Sequence, residues 1–428
     1  MAVFAGPNAR IGFVMARSVL TADQHEKLIK REYNAPFRLK GYWDLWRVTP
    51  VFNVPRCVLF AQRDTTHGSP KDPLPVKTWS GTLPARDLSW DVAKARLSAE
   101  DGEARVIYLG TRCALSTEKG ATSPTRSGAY QNIFKQGATI VPRNFFFVRA
   151  NDLNGNPDLN AQYWIETDPE QAEDAKPPYD EVRLSGLVEG RFLFNSALSK
   201  HLLPFVVHPP ATVLLPVEEI HGNLTLRTAD VLARDGYREV AKWMREAERI
   251  WTEKRESKAG RQTLTEWLDY QGKLSAQSLA QRHLVLYNAA GTNVSAAYFD
   301  RGEHPRFICE HKLYWGAFAD PQEAHYVTAV LNSDTANVAI KPFQSTGLMG
   351  ERDIEKKLLE LPIPTFDAAI ETHRRLAELG ASAHDEALKL SQSGEFPSGS
   401  GLARQRAFIG EALEAIMSEI DKLVRKLL

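Results

Sequence analysis

Cysteine is scarce in this sequence, and no long apolar run interrupts it. The three cysteines, Cys57, Cys113 and Cys309, lie far apart and form no Cys-x-x-Cys pair. Their odd number and spacing argue against a disulfide framework or a zinc site and indicate reduced thiols in a cytoplasm. No apolar run approaches the roughly 18 residues of a transmembrane helix, and the N-terminus lacks a signal-peptide pattern. We therefore expect a cytoplasmic protein that does not enter membranes.

Histidine gives no metal or catalytic pattern either. The 11 histidines are scattered, without an His-x-x-x-His or His-Glu-x-x-His pairing. No Ser/His/Asp or Cys/His grouping stands out. We expect no metal site.

Net charge is zero, but the charges are unevenly distributed. Residues 1–150 hold 22 Lys and Arg against 12 Asp and Glu, whereas residues 151–235 hold 6 against 14. A basic block followed by an acidic one is typical of a DNA-facing surface backed by a solvated one, although scattered surface charge explains it equally well. With 428 residues, 43% of them hydrophobic, the chain has room for two or three domains.

Residues 1–62 predict an α/β unit. An apolar strand over 10–16 leads to a helix over 22–31, with Thr21 as its N-cap and Asp23 in its first turn. Two β-rich runs follow, over 41–48 and 51–61. Strand, helix and strands at this spacing make half of an open α/β sheet.

Two of these segments, FVMARSVL at 13–20 and VFNVPRCVLF at 51–60, resemble adenine-specific DNA methyltransferases of the TaqI-like type. The resemblance implies the end of a Rossmann-like catalytic domain, followed by a DNA-recognition domain. It also implies that Phe52 stacks on an adenine swung out of the duplex, where a ring replaces lost base stacking. The alternative is an ordinary core aromatic at a strand start.

Two loops that such enzymes need are missing from the sequence. One is the glycine-rich loop that holds S-adenosylmethionine, and the other is the NPPY-like loop that binds the adenine amine. We therefore expect no cofactor binding by this chain alone. Either a separate catalytic half supplies both loops, or the chain is a truncated fragment.

A second resemblance begins after a linker over 63–79, strands over 77–83 and 105–115, and a polar loop over 116–128. The segment FKQGATIVPRNFFFV at 134–148 resembles the start of the target-recognition region of large adenine methyltransferases from restriction-modification and phage-defence systems. It predicts a short helix joined through Gly137 to a strand with Phe145–Phe147 in a row. The polar flanks Lys135, Arg143 and Asn144 are predicted DNA contacts. An arginine that braces a domain junction is the alternative for Arg143.

The resemblance continues at 186–194, 201–205 and 211–216. Before it, residues 152–180 are acidic and predict an exposed insertion. Periodicity predicts a helix over 236–257, whose apolar stripe belongs to a core. Further strands are predicted over 283–287, 293–299, 306–310 and 312–318, followed by a helix over 320–331.

The closing half of the recognition region is matched at 311–315, 342–347 and 350–364. Here Lys312, Gln344, Ser345 and Arg352 are predicted DNA contacts, because glycines let a backbone approach the duplex while amide and guanidinium groups donate directionally. Simple turns are the alternative. Helices predicted over 366–392 and 402–428 form a C-terminal hairpin.

The sequence thus predicts three parts: a catalytic remnant over 1–63, an α+β target-recognition domain over 64–365 and a helical hairpin over 366–428. The resemblance implies the DNA-recognition and base-stacking half of an adenine-specific methyltransferase, with double-stranded DNA and a catalytic half as partners. S-adenosylmethionine would bind only the complete enzyme. The alternatives are a non-enzymatic DNA-binding specificity protein and an inactive truncated fragment.

Overall fold

The computed structural model describes residues 6, 9–32, 37–63, 73–153, 155–173, 175–255, 260–347 and 350–428. It is a mixed α/β protein, in which one large sheet precedes a set of smaller sheets and a C-terminal group of helices.

A six-stranded sheet builds the N-terminal part. Its elements are β1 Arg10–Ala16, α1 Glu26–Ile29, β2 Phe37–Thr49, β3 Arg56–Arg63, β4 Leu74–Thr82, α2 Trp90–Arg96, β5 Ser98–Leu109 and β6 Arg112–Ser116. The spatial order is β1-β3-β2-β4-β5-β6, and every neighbouring pair is antiparallel except β2 and β4. In β3, Cys57, Leu59 and Ala61 are buried at a period of two, so this face covers a core.

The predicted strands over 10–16 and 41–48 are confirmed, and the third is shorter than predicted. β3 begins at Arg56 instead of residue 51. Pro50 and Pro55 bracket the intervening turn, and proline has no amide hydrogen for strand pairing.

The predicted helix over 22–31 is largely wrong. The chain forms a 3-10 turn, Asp23–His25, and the single-turn α1, in which only Ile29 is buried. Thr21 ends the preceding 3-10 turn, Arg17–Leu20, and caps nothing, whereas Asp23 does lie in the first turn as predicted. One buried side chain gives a helix too little apolar contact to extend it.

The predicted linker over 63–79 contains a strand. Residues 64–72 lie outside the described part of the chain, and 74–79 belong to β4, which pairs with β2. The six-stranded sheet therefore joins residues on both sides of the predicted boundary at 63 and 64. The single run predicted over 105–115 is a hairpin of β5 and β6, because Gly110, at φ +57°, turns the chain between them.

The middle of the chain surrounds a second core. Its elements are β7 Lys135–Gln136, α3 Arg143–Phe146, β8 Val148–Ala150, β9 Gln162–Thr167, α4 Pro169–Ala172, β10 Ser185–Glu189, β11 Leu193–Ala197, β12 Leu202–Leu203, β13 Val206–Val207, β14 Ala211–Leu214, β15 Val217–Ile220, β16 Asn223–Leu226, α5 Ala229–Arg234, α6 Arg238–Lys254 and α7 Leu264–Leu268. Helix α6 confirms the helix predicted over 236–257, of which 256 and 257 lie outside the described residues.

Two predictions for this region are wrong. Phe145, Phe146 and Phe147 do not lie in a strand: the first two end α3, the third follows it, and all three are fully buried. A wholly apolar run has no periodicity that separates strand from helix. The acidic stretch 152–180 is not merely an exposed insertion, because it contributes β9, the central strand of the sheet β10-β9-β8. Ile165 and Thr167 of β9 are buried.

The C-terminal part joins a four-stranded sheet to helices. Its elements are β17 His283–Asn288, β18 Ala296–Asp300, β19 Phe307–Cys309, β20 Leu313–Phe318, α8 Pro321–Asn332, α9 Asp334–Ile340, β21 Thr346–Gly347, β22 Gly350–Glu351, α10 Glu371–Ser391, α11 Leu402–Ala412 and α12 Glu414–Leu427. The four-stranded sheet has the order β18-β17-β20-β7, while β19 pairs with β11 in a separate sheet. Helix α8 starts as predicted, with the Asp320 carboxylate accepting from the Gln322 amide at 2.9 Å. The last predicted helix is two helices that meet at buried Leu413.

All three cysteines are free and buried. Among the residues described, no helix has both the length and the apolar character needed to cross a bilayer.

Candidate nucleic-acid interface

β1 and β2 terminate at the same end of the large sheet. Both strands pair antiparallel with β3, so they run in the same direction. The backbone amide of Arg17, which directly follows β1, donates to the carbonyl of Pro55 at 3.0 Å. The turn over 50–55, which follows β2 and contains Phe52, is thereby held beside the end of β1.

Phe52 is half-buried within this turn and lies four residues before β3 begins. It is therefore neither the first residue of a strand nor a fully buried core aromatic. The next residue, Asn53, accepts a hydrogen bond from Arg86 Nη2 at 2.8 Å. This bond fixes the turn against the segment that precedes α2.

A cleft of about 540 Å³ opens between this sheet and the segment 338–351, and we call it the junction cleft. From the sheet side it is lined by Arg17, Tyr42, Asp44, Trp46, Arg47, Thr78, Glu100 and Glu118, and from the other side by Val338, Lys341, Thr346 and Glu351. Its volume falls in the range of roughly 300–1,000 Å³ that is usual for ligand sites.

Arg17 joins the two walls of the junction cleft. Its Nε donates to Asp44 Oδ2 at 2.9 Å, and its Nη1 donates to Thr346 Oγ1 at 2.8 Å. Asp44 is buried, and its other oxygen accepts from the Trp46 backbone amide at 3.2 Å. A charged pair with both partners in place is strongly directional, so Arg17 fixes Thr346 and its neighbours relative to the end of β1.

Trp46 stands at a β-bulge. Asp44 pairs with Thr78 and Arg47 with Ser80, so Leu45 and Trp46 face the single residue Trp79. A bulge re-aims a side chain at the cost of local pairing and is common beside functional sites. The Trp46 ring lies 4.7 Å from the Arg47 guanidinium carbon and 5.8 Å from that of Arg17.

Three of the predicted DNA contacts are exposed: Lys135, Lys312 and Arg352. We call them the basic trio. Backbone hydrogen bonds connect the segments that carry them, since Gly137 donates to the Leu313 carbonyl at 3.0 Å and the Ala289 amide donates to the Lys312 carbonyl at 2.8 Å. Two residues after Ala289, the Gly291 amide donates to the Arg352 carbonyl at 2.9 Å. The trio is therefore carried by neighbouring parts of one framework.

Two predicted contacts are buried, which removes them from direct contact with DNA. Asn144 is fully buried, and its Nδ2 donates to the Val182 carbonyl at 3.0 Å. Gln344 is 1% exposed, and its Nε2 donates to the carbonyls of Gly291 at 3.1 Å and Arg352 at 3.3 Å. Both amides satisfy buried backbone groups, and that role explains a polar side chain in the interior.

The other two predicted contacts have protein neighbours. Ser345 is half-buried, and its hydroxyl donates to the Asp353 carboxylate. Arg143 is half-buried and lies close to His201, where its charge adds to the effect of burial and of Lys200 in lowering the pKa of His201 to about 3. Neither placement tests a contact with DNA.

Sequence reasoning missed the residues that build the junction cleft. The sequence predicts Arg17 in a strand-to-helix connection and Trp46 and Arg47 at the end of a strand. Arg17 and Thr346 are 329 positions apart, and no local pattern predicts their contact. The Trp-Arg pair at the end of β2 was the available signal.

The turn that follows β1 lacks a glycine-rich loop. β1 passes directly into the turn Arg17–Leu20, and no glycine stands between them. Glycine in such a turn would leave room for a cofactor close to the backbone, because a Cβ otherwise occupies that space.

No protein-family model and no curated protein matches the chain. Solved structures do match it. One is the Type IIL restriction-modification enzyme MmeI in complex with DNA, with a TM-score of 0.55 and 11% identity over all of this chain and 47% of that chain. Another is the type IIG restriction endonuclease BpuSI, with a TM-score of 0.30 and 13% identity over 99% of this chain and 48% of that chain.

A third is the ATP-dependent Type ISP restriction-modification enzyme LlaBIII bound to DNA, with a TM-score of 0.35 and 9% identity over 89% of this chain and 25% of that chain. At 11% identity the likeness to MmeI concerns the fold. The chain spans about half the length of the MmeI chain that it matches. It therefore shares the fold of about half of a restriction-modification enzyme.

Proposed function

We propose that this chain is the DNA-recognition and base-stacking half of an adenine-specific DNA methyltransferase of a restriction-modification or phage-defence system. The complete enzyme transfers a methyl group from S-adenosylmethionine to the adenine amine. The glycine-rich and NPPY-like loops come from a catalytic half, either as another segment or as another chain. This chain contributes the aromatic ring of Phe52 and the contacts that hold the duplex.

The observation that carries this proposal is the position of the Phe52 turn. It lies beside the end of β1, at the end of the sheet where β1 and β2, which run in the same direction, both terminate. In α/β sheets, ligands bind outside the carboxyl ends of the strands. A half-buried ring at that end of the sheet leaves one ring face accessible to an extruded base, whereas a fully buried ring would not.

The open side of β1 supports the need for a catalytic half. Within the described residues, β1 is the edge of the six-stranded sheet, and Val14 in it is 56% exposed. An unpaired strand edge with an exposed apolar side chain is normally covered by another element. In a Rossmann-like domain, that element is the neighbouring strand with its helix.

The likeness to a restriction-modification enzyme solved on DNA supports the DNA partner, together with the exposed basic trio. Lysine and arginine bind phosphates and release counterions, so binding that uses them weakens as salt increases.

The test is the salt dependence of duplex binding, measured by fluorescence anisotropy with a labelled duplex. We expect the logarithm of the association constant to fall linearly with the logarithm of salt concentration. The double variant Lys312→Glu/Arg352→Glu should bind more weakly at every salt concentration, with a slope smaller by about one for each lost phosphate contact.

Lys254→Glu is the matched control, because it reverses an exposed charge at the end of α6, far along the chain from the trio. It should bind like the wild type. Absence of duplex binding at low salt, or an equal loss in the control, would contradict the proposal.

A further inference from the structure

Trp46 gives the junction cleft an accessible aromatic ring. Asp44 and Trp46 alternate along β2 and both line the cleft, and the β-bulge at Leu45 and Trp46 brings Arg47 to the face of Asp44. Asp44, held by Arg17, accepts from the Trp46 backbone amide and fixes the bulge. Trp46 is half-buried, so part of its ring is accessible. A fixed, accessible indole ring is the side chain that proteins use to stack on unpaired bases.

The polar groups around Trp46 include both donors and acceptors. Arg47, Glu100 and Glu118 line the cleft and are exposed. Two further cations are engaged with protein groups, since Arg17 binds Asp44 and Thr346, and Lys341 donates to Asn293 Oδ1 at 2.9 Å. A phosphate would face the two glutamates, whereas a base edge carries carbonyl acceptors for a guanidinium and an N–H donor for a carboxylate.

An exposed apolar side chain also borders the cleft. Val338 of α9 borders the cleft and is 68% exposed. Helix α9 turns Ala336 and Ile340 into the core, which leaves Val338 facing outward. Thymine is the DNA base that carries a methyl group at C5, and aliphatic side chains recognise that group by contact.

We propose that the junction cleft binds one unstacked thymine, the base left without a partner when the adenine opposite it is extruded. Trp46 stacks on the ring, Arg47 donates to a carbonyl oxygen, Glu100 or Glu118 accepts from N3–H, and Val338 contacts the methyl group. This inference rests on the proposed function, because it needs the chain to bind a duplex. It adds a second base site to the one assigned to Phe52.

The experiment compares three short duplexes of one sequence at one salt concentration. In the first, every base is paired; in the second, a central thymine faces an abasic site; in the third, a central adenine faces an abasic site. We expect the wild-type chain to prefer the unpaired thymine over the fully paired duplex by at least about five-fold, the lower end of what one aromatic–base stack provides. Trp46→Ala should abolish that preference, and Trp46→Phe should retain much of it.

Two further variants test whether a lost preference for unpaired thymine arises from misfolding. Trp164→Ala removes a tryptophan that is 57% exposed on a different sheet, and it should keep the preference. Arg47→Gln alters an exposed side chain and should reduce the preference without lowering the melting temperature.

Salt-dependent duplex binding without a preference for unpaired thymine would overturn the inference and leave the proposed function standing. An unchanged preference in Trp46→Ala would also overturn the inference and leave the proposed function standing. An equal preference for unpaired adenine would overturn the assignment to thymine. If no duplex binds at all, the proposed function and this inference both fail.

Discussion

Replacement of Phe52 by alanine separates a base-stacking role from a packing role. Phe52 is half-buried in the turn that follows β2. A fully buried phenylalanine loses about 3–5 kcal/mol of unfolding free energy when it becomes alanine, and the loss scales with the apolar contact removed. For a half-buried ring we therefore expect about 1–2 kcal/mol. A stack on an extruded base provides roughly 1–3 kcal/mol, which is about 5- to 150-fold in affinity.

The assay uses the chain reconstituted with its catalytic half and a duplex that carries 2-aminopurine at the position of the target adenine. The fluorescence of 2-aminopurine rises when it leaves the base stack and is quenched by an aromatic neighbour. Wild type and Phe52→Trp should quench the extruded base. Phe52→Ala should give brighter fluorescence and weaker retention of the duplex, with only a modest change in the urea midpoint.

Phe60 supplies the matched control. It is half-buried in β3 of the same sheet, and its ring contacts Trp43 with centroids 5.0 Å apart. Phe60→Ala should lower stability and leave the fluorescence of the bound duplex unchanged. Equal fluorescence in wild type and Phe52→Ala, combined with a loss of 3 kcal/mol or more in stability, as for a core residue, would refute the stacking role.

Two further predictions concern folding energetics. A Cβ at Gly380 of α10 would lie 2.3 Å from the His325 carbonyl oxygen, so Gly380→Ala should lower the free energy of unfolding by at least about 1–3 kcal/mol. At Gly410 no described atom lies within 4 Å of the new Cβ, so Gly410→Ala should raise the stability of α11 by up to about 1 kcal/mol. Urea unfolding measures both changes. Equal effects would show that α8 and α10 are not in close contact at Gly380. Burial lowers the pKa of His201 from 6.5 to about 3. As the pH falls, the unfolded chain therefore binds a proton at His201 before the folded chain does. The contribution of His201 to stability is complete above about pH 6.5 and declines as the pH falls towards 3. His201→Gln should flatten the slope of unfolding free energy against pH between 6 and 4 by about 1.4 kcal/mol per pH unit, and an unchanged slope would mean that His201 is already solvated.

Local patterns were sufficient for several elements. Helix α6 was predictable because its buried residues recur at three- and four-residue spacing, and α8 because Asp320 and Pro321 form an N-cap and first-turn pair. The apolar run of β1 and the β-rich composition of β2 likewise predicted strands. Such signals depend on neighbours a few positions away, which the sequence displays directly.

Burial of individual polar residues was not predictable. Asn144 and Gln344 stand in polar or glycine-containing stretches that favour an exposed loop, yet both are buried and hydrogen-bond to backbone carbonyls. Whether an amide faces water or a buried carbonyl depends on which distant segment packs over it. Phe145–Phe147 failed for a related reason, since burial on all sides removes the periodicity that distinguishes a strand from a helix.

The candidate site shows the same division. The sequence indicated polar, accessible positions at Lys135, Lys312 and Arg352, and all three are exposed. Phe52 lies in a turn and not at the strand start that the sequence predicts. The junction cleft, by contrast, depends on a bulge at Trp46, whose existence is a matter of register between β2 and β4, and on Arg17 meeting Thr346 across 329 positions. Register and long-range contact are set by the packing of whole sheets, and for that reason they appear only when the chain is folded.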